Sequence, residues 1–179
     1  FDNEMAKSDQ DDKVYPESPN LKPRNRSSMM VSLKLIPFES FGPSFDVFSY
    51  SELIGRENLM KQVVLSILGY RDMINLLKSN HLSNFIEELR LGYTSEKYAF
   101  YHNDFHACDV MQGTFDVIRT GKLEEIAELT SSDMLSVVFA ALIHDFRHPG
   151  LNNGFLINTK NDIAIQFNGK FKIIQMLCR

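Results

Sequence analysis

Four of the chain's five histidines fall between residues 101 and 150, in two pairs at a spacing of four: His102 with His106, and His144 with His148. Asp109 lies three residues beyond His106, and Asp145 follows His144 directly at the end of a strongly apolar run. Imidazoles and carboxylates gathered at such spacings suit a divalent metal ion. On a helix, residues four apart share a face, so His102 and His106 would point the same way about one turn apart. Either could ligate, or one could ligate while the other faces a substrate. Asp109 is placed to orient His106 by accepting a ring N–H. His144 and Asp145 would diverge on a regular helix, but near an end broken by Pro149 both could reach one ion or two neighbouring ions. A carboxylate bridges two metals readily and an imidazole does not, which makes Asp145 the bridge in any two-metal site. Each motif alone reads more simply as a surface patch; the two together weigh evenly between that reading and a metal centre. Cys108 reads as a small packed side chain rather than a nucleophile, since a reactive thiol needs an electropositive setting.

The elements that must position these residues are helical. From Phe45 the apolar residues take a helical period, with a short segment around Val47 to Leu53, an interruption at Gly55, and a stripe of Leu59, Val63, Val64, Ile67 and Leu68 up to Gly69. Met73 to Leu77 and Phe85 to Leu89 form two further faces, the latter ending near Gly92, and His81 between them is expected at the surface or in a cap. A long helix is predicted from about Ser95 to Thr120, capped by Ser95, stopped by Gly121, and burying Tyr98, Tyr101, Phe105, Val110, Phe115 and Val117. Leu123 to Leu129 predicts a short helix, and Thr130-Ser131-Ser132-Asp133 a capping cluster. The run Met134 to Ile143 is apolar on all sides and belongs in the centre of a domain, so His144-Asp145 arrives where an unpaired charge would be very costly. Leu151 to Thr159 reads as loop and short helix, and Asp162 to Phe167 as the start of another helix. The expected fold is all-α, a helical bundle.

The composition fits one ordinary domain. The 179 residues are 44% hydrophobic and 23% charged with a formal net charge of −4, and no basic stripe exists to neutralise nucleic-acid phosphates. The two cysteines, Cys108 and Cys178, form no disulfide framework or C-x-x-C motif, which suits a reducing cytoplasmic setting. No apolar run approaches the length of a membrane span, and the chain begins at Phe1 without a signal-peptide pattern, as a piece of a longer protein would. Residues 1–40 are expected to be a flexible linker, polar and carrying Pro16, Pro19 and Pro23, with Met29 to Phe38 lying extended against the domain.

Tyr-His-Asn-x-x-His-Ala-x-Asp-Val at 101–110, His-Asp-x-x-His-Pro-Gly-x-x-Asn at 144–153 and Phe155-Leu156-x-Asn158-Thr159 closely resemble the class I 3′,5′-cyclic nucleotide phosphodiesterases. Weaker similarity reaches back to about Phe45, so that 41–168 resembles the amino-terminal half of that catalytic domain, within the His-Asp superfamily. The resemblance implies an all-α catalytic domain acting in cyclic nucleotide signalling. It implies two divalent ions, typically zinc and magnesium, or manganese, holding a hydroxide that opens cyclic AMP or cyclic GMP to the 5′-monophosphate. By the same resemblance His102 is the general acid for the leaving O3′, and His106, His144 and Asp145 are metal ligands. Tyr101, Asn103, Asp109, His148 and Asn153 match substrate-facing or supporting positions.

The departures shape the expectation further. The family adds a later Asp to its zinc shell and a later Gln that fixes the purine, and neither has a counterpart here; Asp162 is the only carboxylate after Asp145 and matches no ligand position. Residues 169–179 diverge from the family's Glu-Asn-His-His continuation, which reads as a truncation that leaves the metal site one protein ligand short. Two alternatives follow: another His-Asp superfamily metal phosphohydrolase, or a truncated, non-catalytic helical product.

Overall fold

The computed structural model describes residues 36–77, 79–94 and 99–166, and every regular element among them is helical. The α-helices are α1 (Val47–Ile54), α2 (Arg56–Leu68), α3 (Ser79–Thr94), α4 (Asp104–Thr120), α5 (Leu123–Ile126), α6 (Ser131–Ile143), α7 (Asn153–Asn158) and α8 (Asp162–Gln166), with short 3₁₀ turns at Phe38–Ser40 and Tyr70–Leu76. All-α architecture is therefore as expected. Residues 1–35 of the linker predicted at 1–40, the Ser95 cap, Tyr98, Cys178 and the divergent tail lie outside the described residues, and the linker's described end carries the 3₁₀ turn Phe38–Ser40.

The helix at the centre is α2. Leu59, Met60, Val63, Val64, Ile67 and Leu68 are fully enclosed, and they belong to one core with Met111 and Phe115 of α4 and with Met134, Val138 and Leu142 of α6, where α4 lies against both α2 and α6. That corrects the reading of Met134 to Ile143 as the innermost helix. In α6 the buried residues recur at intervals of four along one face, whereas Val137 and Ile143 are exposed. Uniform apolarity shows that every face tolerates burial, and among the described residues neighbours cover only one of them.

Local chemistry sets the boundaries. Asp46 caps α1 by accepting from the Phe48 N–H, and Gly55, at φ 85°, turns the chain from α1 into α2. Thr130 and Asp133 form the reciprocal capping box at the start of α6. The expected long helix to Thr120 begins late: Asn103 is extended, and its Oδ1 accepts from the N–H groups of Phe105 and His106 at 3.0 and 3.2 Å. An asparagine that satisfies two orphan donors defines a helix start, so Tyr101 and His102 lie in a bend before α4. Tyr101 (66% exposed) and Val117 (60%) are consequently on the outside, against expectation, while Phe115 is buried as predicted.

The helix expected to end near Gly92 continues to Thr94, and Gly92 serves packing instead. A Cβ at Gly92 would lie 1.9 Å from the Phe146 ring. The missing side chain lets the turn after α6 lie directly on α3. Substituting Gly92→Ala should therefore destabilise the fold by roughly 1–3 kcal/mol of overpacking despite alanine's better helix propensity. Urea unfolding checks this, and an unchanged or raised midpoint would show that Phe146 can move aside.

Candidate metal centre

The site forms where the start of α4 meets the end of α6. Asp104, first residue of α4 and almost wholly buried, is paired with Arg56 of α2, whose Nε donates at 3.0 Å and whose guanidinium also lies over the Phe105 ring. The pair ties the α4 start to α2, and the Asn103 cap then sets His106 in the first turn. On the other side, His144 closes α6, and the chain turns through Asp145 to His148 with Phe146 N–H bonded to the Ile143 carbonyl and His148 N–H to that of Asp145.

Asp145 Oδ2 is the meeting point. It lies 3.0 Å from His144 Nε2, 3.3 Å from His106 Nε2 and 3.9 Å from His102 Nε2. Two groups of three potential ligand atoms result, His106 with His144 and Asp145, and His102 with His148 and Asp145, with the atoms of each group within 4.8 Å of one another. The hydrogen bonds separate the two groups chemically. His144 Nδ1 lies 2.7 Å from the Ala141 carbonyl, which can only accept, so in the neutral ring Nδ1 carries the proton and Nε2 is the nitrogen left for a metal. His148 Nδ1 instead accepts the Gly150 N–H at 3.0 Å, which places the proton of the neutral ring on Nε2. The His106, His144 and Asp145 group thus fits a divalent cation as it stands, whereas His148 is set up to donate a hydrogen bond.

Desolvation favours the ligand-competent form. Burial first, then the neighbouring His144, holds His106 below the ordinary histidine range; burial, then His102, does the same to His148. The His102 and His148 rings stack with centroids 3.7 Å apart, and Tyr101 covers His106 at 4.4 Å. Beside the stack opens a cavity of about 340 Å³ lined by His102, His148, Gly150, Leu151, Asn152 and Asn153. The buried Asn153 Oδ1 has no hydrogen-bond partner among the described residues. Cys108 is enclosed and its thiol pushed up by burial, in line with a packing role.

Two expectations need correcting. His102 and His106 do not share a helix face, because the cap falls between them, yet their rings still approach to 6.0 Å. Asp109 is exposed and, among the described residues, makes no hydrogen bond to His106, whose Nε2 faces Asp145; it reaches His106 through charge alone. Sequence reasoning also missed Tyr93, a buried residue of α3 whose hydroxyl contacts this turn and is pushed up in pKa by burial. Only its place one helical step beyond the Phe85 to Leu89 stripe could have marked it, and that signal is the same for any core aromatic.

Acid titration tests the histidine environments. Both depressed histidines are neutral in the fold at pH values where the unfolded chain is already protonated, so the unfolded state binds more protons. In metal-free protein, stability should hold above the ordinary histidine value of about 6.5, fall as pH drops below it, and level off once the folded-state values are passed. Unfolding midpoints across pH 5–8 that show no slope attributable to His106 or His148, judged against their glutamine variants, would contradict the assignment.

A family model described as 3′5′-cyclic nucleotide phosphodiesterase matches residues 101–173. Curated relatives extend the match upstream: the dual specificity calcium/calmodulin-dependent 3′,5′-cyclic nucleotide phosphodiesterase 1C of Mus musculus and that of Homo sapiens are each 36% identical over 130 residues, covering 71% of this chain and 18% of the relative. The 3′,5′-cyclic-AMP phosphodiesterase 4C of Mus musculus is 35% identical over 125 residues, covering 69% of this chain and 18% of the relative. The chain thus spans about a fifth of the length of the curated relatives it matches. With both histidine motifs inside the matched region, the chain belongs to the 3′,5′-cyclic nucleotide phosphodiesterase family.

Proposed function

We propose that this chain provides the amino-terminal part of a catalytic centre that hydrolyses 3′,5′-cyclic nucleotides to 5′-monophosphates in a cytoplasmic signalling setting. The observation that carries the reading is the convergence of three imidazoles on Asp145 at the edge of a cavity large enough for part of a nucleotide. Family membership supplies the substrate class.

In this reading His106, His144 and Asp145 would hold divalent ions, zinc and magnesium or manganese. Bound there, such ions supply positive charge at the phosphodiester and make a nucleophile available near neutral pH. His102 sits in the bend beside the cavity and gives its proton to the departing O3′ alkoxide. The stacked His148 keeps the His102 ring in place and offers its Nε2–H to groups around the phosphate, and Asn153, on the same wall, adds an unused carbonyl oxygen as acceptor. Tyr101 shields His106 from water, and Asn103 fixes the α4 start.

The test uses the complete protein that contains this region, supplied with zinc and magnesium and assayed against cyclic AMP, cyclic GMP and non-cyclic nucleotides. Hydrolysis of a cyclic nucleotide is expected. His102→Ala should lower kcat by roughly 10²- to 10⁴-fold with bound metal retained, as loss of a general acid does. Asp145→Ala should lose metal and activity together. No turnover of either cyclic nucleotide would refute the activity, preferential turnover of a non-cyclic nucleotide would favour another phosphohydrolase, and metal loss in His102→Ala would contradict its role as acid.

A further inference from the structure

We infer that Tyr93 is a positioning residue for the metal centre, its hydroxyl setting the backbone from which Asp145 projects. This rests on the reading of His106, His144 and Asp145 as a metal site. The starting point is a competition at the end of α6. In a continuing helix the Asp145 N–H would bond to the carbonyl of Ala141, four residues back. That carbonyl is taken by His144 Nδ1 at 2.7 Å. The Asp145 N–H bonds instead to the Tyr93 hydroxyl at 3.2 Å, and the hydroxyl donates its own proton to the Leu142 carbonyl at 2.7 Å.

One side-chain oxygen therefore satisfies two orphan groups of a helix end, and the exchange orients two candidate ligands together. The His144 ring is fixed with Nε2 toward Asp145 because Nδ1 holds Ala141. The Asp145 backbone is fixed because its N–H, displaced from Ala141, is held by Tyr93. Water has no ready access as a substitute, since Tyr93 is 1% exposed. The ring is clamped as well: Phe146 meets it edge-on at 6.0 Å and lies against the bare backbone of Gly92. Gly92 and Tyr93, some fifty residues before this turn in the chain, thus form the seat for the turn that bears His144 and Asp145.

Tyr93→Phe removes only the hydroxyl and keeps the ring. In the 179-residue chain its zinc affinity, measured by competition with a chromogenic chelator, should fall by roughly 10- to 100-fold, the usual cost of losing an outer-shell partner. Amide hydrogen exchange at Asp145 in the metal-free chain should also accelerate. Val63→Ala, a core truncation in α2 that touches none of these hydrogen bonds, should lower the thermal midpoint without weakening zinc binding. Unchanged affinity and exchange in Tyr93→Phe would overturn the inference while leaving the metal reading intact. Affinity that falls in both variants in step with their midpoints would reduce Tyr93 to a structural role. Failure of the unmodified chain to bind zinc at all would remove the metal reading and this inference with it.

Discussion

The structure turns on one carboxylate held among imidazoles. Asp145 is nearly enclosed, and its Oδ2 has three histidine nitrogens around it at 3.0 to 3.9 Å. A buried anion is costly without compensation. A cation between this oxygen and the histidine nitrogens would supply that compensation, which makes the geometry a reason to expect metal. The rest of the fold holds the two sides of this cluster in place. The Arg56–Asp104 pair and the Asn103 cap fix the α4 side, and the packing of Leu142 and Phe146 fixes the α6 side.

Much of this was legible in the sequence, for identifiable reasons. Helical periodicity located α1, α2 and α6, and the Thr130 capping box and Gly121 marked real boundaries. The spacing of His102, His106, His144 and Asp145 foretold a shared locus, because ligand chemistry restricts which residues can be used. What periodicity could not supply was direction. It did not show which side of α6 has neighbours, or that Asn103 would start a helix in the middle of a motif read as continuous. It also gave no sign that Gly92, read as a helix end, is an interior position emptied for an aromatic ring. The Gly92 contact joins residues some fifty positions apart, which a local pattern does not encode, and the Asn103 start is a local cap that overrides the helical period.

The hydrogen bonds also sort residues that spacing leaves equivalent. His144 and His148 look interchangeable as letters four apart, yet one engages a carbonyl and the other a backbone N–H. Their free nitrogens consequently have opposite character, a lone pair in the first case and a proton in the second. A single neighbouring backbone group decides which histidine is suited to metal and which to hydrogen bonding.

The cap between His102 and His106 has a bearing on how such a site can change over evolutionary time. His106 is anchored to a rigid cylinder, whereas His102 hangs from an irregular bend on the other side of Asn103. Substitutions at 99–101 can re-aim the His102 ring while leaving His106 where it is. Selection can therefore tune the two imidazoles as separate traits, although only three residues lie between them.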